Sequence, residues 1–386
     1  MGKRSNQPNS DLLIDLIRAA LLGEELAAVP QGASPQEAAA LISRQGLTCL
    51  VYPAVAKTPR MAPLRSLLEK EYLMEVSKIT NQEHEISKWL DAAEAAGLDC
   101  IPLKGYLLRK LYPSFLMRSM TDMDVLMRGM DRSAVRSWME GMGYEAEATH
   151  ALSHHDNYMK KPWMYMELHT HLMKPRPGRD ELEQKIWSHA TLMPGRSHIY
   201  QMKHEDFYIF HLLHLHKHFI SRGVGLKSVV DIFVFNRHYG STLDREYLLS
   251  ELELLGIREF ALSMEQLSRM LLGDEPATEE LKLVADYMAD SGSFGTSENF
   301  HAIRLAKDTA KDNKLRYKLK LLFPGVKEMS KQYPSVLKVP FLLPFYWVAR
   351  IFRRLFRGKG NGIDVDQISD EKLDALRYVF RVTGAQ

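Results

Sequence analysis

Two aspartates, Asp122 and Asp124, stand two residues apart in the segment RSMTDMDVLM, residues 118–127. The segment predicts a strand over 120–127. On a strand, residues two apart point to one face, so the carboxylates would project side by side while Met123, Val125 and Met127 face the other way. Carboxylates held that close repel unless a cation lies between them, and paired divalent cations about 3.5 to 4 Å apart are a common device for phosphoryl transfer. The plainer reading of the pair alone is a solvated strand end. A third acid shifts that balance. Glu167 is the only carboxylate in a second predicted strand, 163–172, where it shares a face with Tyr165 and His169. It suits a metal ligand or a base for an attacking hydroxyl, and equally an exposed acid on an edge strand.

Lys104 and Gly105 fall where a short apolar strand, 99–103, meets a predicted helix, 105–111. Such a junction presents backbone N–H groups, glycine lets a phosphate approach the backbone, and Lys104 adds a full charge. A lone Lys-Gly is also an ordinary turn before a helix. Arg118 could grip phosphate oxygens with both arms of its guanidinium, or pair with a nearby acid.

The elements that must position these groups change character along the chain. The N-terminal part predicts helices: one capped by Ser10 and ending near Gly23, one opened by Ser34, Pro35 and Glu37 as a capping box, and a long one over 63–96 stopped by Gly97. Between 99 and 172 the order is strand, turn, helix, strand, then a helix over 133–142 capped by Ser133, then extended stretches at 147–159 and 163–172. From residue 205 the pattern is helical throughout, with runs at 206–219, 227–237, 243–272 and 278–290. The expectation is an α+β protein in three parts: a helical segment 1–74, a small mixed-sheet core 75–204, and an all-helical domain 205–386 with a basic tail region.

The 386 residues, 45% hydrophobic and 26% charged, have the balance of a soluble globular protein. Two cysteines without paired spacing, Cys49 and Cys100, argue against a disulfide framework and for a reducing cytoplasm. No secretion signal opens the sequence, and its longest apolar run, 339–349, contains two prolines and is far short of the roughly 18 residues of a bilayer span. The net charge of +3 is unevenly spread: residues 301–359 hold fifteen Lys and Arg against three acids, +12, leaving −9 elsewhere. Within that stretch Arg350, Arg353, Arg354 and Arg357 recur at helical spacing beside Trp347, Ile351, Phe352 and Phe356. Residues 337–358 therefore offer a peripheral contact with anionic lipid or another polyanion, against the plainer reading of a helix with solvated arginines.

Taken in order, LKGYLLRKLYP (103–113), RSMTDMDVLM (118–127), MELHTHL (166–172) and HLLHLHKH (211–218), with Lys227 and Asp231 following, resemble the uncharacterised bacterial nucleotidyltransferases of the polymerase-beta-like superfamily. The likeness runs from about residue 75 into the helical region and includes LLFPGVKEMSKQYP from residue 321. It implies that Asp122, Asp124 and Glu167 hold two divalent cations, Mg²⁺ or Mn²⁺, and that Lys104 and Gly105 occupy the place of the loop that binds nucleotide phosphates. Two departures stand out: Lys-Gly replaces the more usual Gly-Ser or Gly-Gly, and the third acid is Glu rather than Asp.

The expected activity is transfer of a nucleoside monophosphate from an NTP to an acceptor hydroxyl on a small molecule or a protein, with a nucleic acid end the least favoured acceptor. The acceptor is expected between sheet and helices, near His169, His214, His218, Lys227 and Asp231. His211, His214 and His218 share a helix face at zinc-like spacing, but the glutamate of HExxH is missing, which favours pocket lining or packing over metal binding. The dipeptide His155-Asp156 lies in a predicted strand and is set aside as a metal motif. From another class, the competing expectation is a module that binds nucleotide without turnover and serves in assembly or at a membrane surface.

Overall fold

A computed structural model describes residues 7–26, 28–129, 131–147, 153–173, 179–307, 313–330, 332–356 and 365–385. It is 66% helical around one small mixed sheet, an α+β fold. Four helices open the chain: α1 (Gln7–Leu22), α2 (Pro35–Gln45), α3 (Thr48–Lys57) and α4 (Ala62–Ala95). The sheet-forming part follows as β1 (Cys100–Pro102), the single turn α5 (Gly105–Leu108), β2 (Met123–Met127), α6 (Arg132–Gly141), β3 (Glu145–Ala146), β4 (His155–Lys160) and β5 (Met164–His169). Helix α7 (Arg179–His189) and the small hairpin of β6 (Thr191–Leu192) and β7 (Tyr200–Gln201) then lead into α8 (His204–Phe219) and α9 (Lys227–Tyr239). The remaining helices are α10 (Arg245–Leu254), α11 (Arg258–Leu272), α12 (Glu279–Ser291), α13 (Ser297–Lys307), α14 (Asn313–Leu322), α15 (Val326–Met329), α16 (Leu343–Phe356) and α17 (Asp370–Val382).

The main sheet has the order β1-β2-β5-β4-β3. Its pairings are antiparallel except that β2 runs parallel to β5, with Asp124 opposite Glu167 and Leu126 opposite His169. One face, carrying Met123, Val125, Met166 and Leu168, is covered by Ile86 and Trp89 of α4 and Met139 of α6. On the other face Ile101 and Leu126 join a larger core that contains Leu16 of α1, Leu50 of α3, Phe210 and Phe219 of α8 and Phe260 of α11. Helices from both ends of the chain thus share one core, and α4 runs unbroken through residues 74 and 75.

Half of the expected capping box forms: Ser34 Oγ accepts the Glu37 N–H, whereas the Ser34 N–H donates to Asn9 Oδ1 of α1 and Glu37 Oε2 accepts from Asn9 Nδ2. Pro35 occupies the first turn, and Gly46 takes the left-handed conformation that ends α2. Ser10, expected as a cap, lies inside α1, which begins at Gln7. The cap of α6 is Asp131 rather than Ser133: its carboxylate accepts the N–H groups of Ser133 and Ala134 at 2.9 and 3.3 Å, and a charged acceptor suits the positive end of a helix. The single run expected over 243–272 is two helices, α10 and α11, because Gly256 adopts a positive φ between them. Of the extended stretch expected at 147–159, residues 148–152 lie outside the described residues, and β4 covers 155–160.

Candidate active site

A row of polar side chains crosses the sheet face that looks toward the helical core. Leu103 follows β1 and its N–H donates to the Asp124 carbonyl at 2.9 Å, so the next residue, Lys104, starts the turn directly beside β2. Lys104 adopts φ 44°, the only positive φ at a non-glycine among the described residues, a conformation that costs about 1 to 3 kcal/mol and is typical of functional turns. Its ammonium donates to Asp124 Oδ1 at 2.7 Å. On the far side of β2, His169 Nε2 meets the same oxygen at 2.8 Å and lies 3.4 Å from Glu167 Oε2. Asp122 stands one residue ahead of β2 rather than within it, with Thr121 Oγ1 donating to its Oδ1 at 3.0 Å. β4 extends the row with Asn157 opposite Glu167 and His155 opposite His169.

The two aspartates are in opposite electrostatic states. Burial and the neighbouring charge of Asp124 push the Asp122 carboxyl above its ordinary value. Burial also opposes ionisation of Asp124, yet Lys104 and His169 outweigh it and hold that carboxyl far below the usual carboxylate range. Glu167 is lowered chiefly by its hydrogen bond to His169. Burial pulls His169 down, but its bonds to Asp124 and Glu167 prevail and raise it.

These donors suit a divalent cation. Asp124, Glu167 and His169 each bring one ligand atom within 4.8 Å of the others, Asp122 stands outside that group, and the Lys104 ammonium lies on Asp124 Oδ1. The group offers two carboxylates and one imidazole, a donor set that can hold a divalent cation.

Arg118 is placed behind this row. Its Nε and Nη2 donate to the two oxygens of Asp231 at 2.7 and 2.8 Å, and the buried Tyr112 hydroxyl donates to Asp231 Oδ1 at 2.7 Å. Gly105 lies against the remaining arm: a Cβ there would come 2.7 Å from Arg118 Nη1. The glycine thus leaves room for a fixed guanidinium. The helix it opens, α5, is a single turn rather than the longer helix expected over 105–111, and carries little dipole. Lys227 donates to the carbonyl and hydroxyl of Ser119, and desolvation pushes its amine down to about 7.

The α8 histidines line the helical side. His211 is buried and its Nε2 has no hydrogen-bond partner, while His214 and His218 bond to each other through Nε2 atoms 3.1 Å apart. Burial lowers all three, His211 and His218 to about 4, and Lys104 contributes to each shift. His155, set aside in sequence, meets His154 and His169 with ring centroids 4.6 and 5.2 Å apart. Pairing of β4 with β5, which no local pattern specifies, puts it there.

A cleft of about 550 Å³ opens beside the acids, lined by Asp122, Glu167, Thr121, Asn157, Trp163 and Tyr165 with Glu75 and Lys78 of α4. Trp163 and Tyr165 are 38% and 43% exposed, and an exposed aromatic pair at a cleft is suited to stacking on a flat ring. Sequence reading passed over Trp163; the signal was its position at the turn into the acid-bearing strand. Tyr112 was equally silent because its partner lies 119 residues away.

A small mixed sheet thus brings carboxylates, a histidine and a lysine together beside a cleft lined by Asp122 and Glu167. Residues 31–273, more than half of the chain, match the model of a family described as uncharacterised nucleotidyltransferase, and the chain belongs to that family. No curated protein and no solved structure matches it.

Proposed function

We propose that this nucleotidyltransferase is metal-dependent and moves a nucleoside monophosphate from an NTP to an acceptor hydroxyl, releasing pyrophosphate. The observation that carries this reading is the register of β2 against β5, which sets the buried Asp124 opposite Glu167 with Asp122 two residues before it, Asp122 and Glu167 lining the cleft. Asp122, Asp124 and Glu167 supply the oxygens for Mg²⁺ or Mn²⁺. When bound, a divalent cation neutralises phosphate charge and makes the acceptor hydroxyl easier to ionise. Lys104 swings from Asp124 toward the phosphates, and the turn at Gly105 lets them approach the backbone. The Arg118–Asp231 pair holds that turn from behind and is a positioning element rather than a phosphate grip. Trp163 and Tyr165 flank the base. The acceptor oxygen attacks the α-phosphorus as the bond to the β-phosphate breaks, and Glu167, kept ionised by His169, takes the hydroxyl proton. His214, His218 and Lys227 form the floor beneath the acceptor. Buried free thiols at Cys49 and Cys100, both pushed up to about 12 by desolvation, agree with a reducing cytoplasm.

Incubating the protein with each α-labelled NTP, Mg²⁺ or Mn²⁺ and a cell extract tests the reading. Label moves to an acceptor with the native protein and not with the Asp122→Ala, Asp124→Ala variant. Nucleotide binding without label transfer under any of these conditions would identify a binding module instead.

A further inference from the structure

Of the 21 large hydrophobic side chains exposed among the described residues, ten lie between Leu315 and Phe352. On α14, Leu315, Leu319 and Leu322 recur at four and three residues and are 46% to 62% exposed. Phe341, Phe345 and Val348, at the same spacing into α16, are 52% to 77% exposed. The two helices are fastened together on their other sides: Trp347 Nε1 donates to the Pro324 carbonyl at 2.8 Å, Arg350 Nη1 donates to the Leu321 carbonyl at 2.9 Å, and the Phe323 and Trp347 rings meet edge to face. The internal seam of the pair is therefore made, and the apolar stripes face outward.

The charge of the same stretch says what covers them. Residues 314–353 hold nine Lys and Arg against the single acid Glu328, a net +8. Arg316, Lys327, Lys338 and Arg353 are exposed beside the apolar residues. Lys314 and Lys318 are paired with Asp370 and Asp366, yet the surface stays basic, so a second copy would set like charge against like. A bilayer with anionic headgroups accepts both components at once, phenylalanines and leucines at the acyl boundary and basic side chains at the phosphates. No helix among the described residues is long and apolar enough to cross a membrane, so the helices lie along the surface.

We propose that α14 and α16 form a peripheral docking surface for anionic lipid bilayers. Contact is carried by the outward stripes Leu315, Leu319, Leu322 and Phe341, Phe345, Val348, and is selected by the basic residues between them. It widens the surface expected from sequence at 337–358 to include α14, which the fold ties to it.

Co-sedimentation of the full chain with vesicles at physiological ionic strength tests this. The protein pellets with vesicles of phosphatidylcholine and phosphatidylglycerol, and far less with phosphatidylcholine alone. Phe341→Ser, Phe345→Ser, Val348→Ser together lower the partition coefficient by on the order of 100-fold. Arg316→Gln, Lys338→Gln, Arg353→Gln together lower it about tenfold or more on the mixed vesicles. Both sets change exposed side chains, and circular dichroism and the thermal midpoint check that each variant stays folded. The Asp122→Ala, Asp124→Ala variant pellets like the native protein, which separates this proposal from the catalytic one. The proposal is overturned if the native chain stays in the supernatant with mixed vesicles, if folded variants pellet as it does, or if light scattering shows a dimer that the apolar variant dissolves without any vesicle binding.

Discussion

Asp122 and Asp124 are near neighbours that the fold treats differently: Asp124 has a lysine and a histidine on one oxygen, whereas Asp122 has a threonine hydroxyl and the repulsion of Asp124. An acid whose carboxyl is raised by folding costs stability at every pH above the ordinary carboxyl range, because the folded state resists its ionisation. Asp122→Asn removes that cost, so with chelator present the variant melts a few degrees above the native protein. Label transfer falls by at least about 100-fold in the same variant. Added Mn²⁺ raises the melting point of the native protein more than that of the variant. Lys104 makes the complementary case. Its ammonium competes with a divalent cation for Asp124 Oδ1, so in calorimetry without nucleotide Lys104→Ala binds Mn²⁺ about fivefold tighter while transfer falls. Weaker Mn²⁺ binding by that variant would mean that lysine and cation do not share the oxygen.

At the scale of elements, the turn between β1 and α5 matters more than the helix it begins. A methyl group on Gly105 would lie 2.7 Å from Arg118 Nη1 and 3.2 Å from Met120 Cβ. Arg118 cannot give way easily, since Asp231 holds it through two bonds. Gly105→Ala therefore lowers the free energy of unfolding by about 1 to 3 kcal/mol, read from the urea midpoint. Gly141→Ala is the control: nothing lies within 4 Å of that position, in the last turn of α6, and it is neutral or stabilising by up to about 1 kcal/mol.

For the whole molecule, the contact between helical core and sheet carries a pH dependence. An unfolded histidine protonates near 6.5, whereas folded His211 and His218 resist protonation down to about 4 because burial penalises the charge. Between those values the unfolded state binds more protons, so stability falls as pH drops from about 6.5 toward 4. His211 alone accounts for about 3 kcal/mol at the acid end. Urea midpoints at pH 7.5 and 5 measure the slope. His211→Phe, which keeps a ring parallel to Phe207 and removes the unpartnered Nε2, reduces the slope to the part left by His218 while leaving the midpoint at pH 7.5 nearly unchanged.

Sequence alone determined what depends on neighbours along the chain. The Ser34 N-cap, the Gly97 stop, the alternation that sends Met123 and Val125 into the core and the shared face of Glu167 with His169 are local facts, set by near neighbours along the chain. So is the run of basic and aromatic residues near the C-terminal end. Tertiary structure decided the rest, because pairing across the chain has no local signature. It set Glu167 against Asp124 through a parallel register, gave Arg118 to Asp231 from 113 residues away, and joined α14 to α16. A carboxylate's ionisation, a guanidinium's partner and an apolar face's exposure are set by what lies within a few ångströms, and only the folded chain brings those groups together.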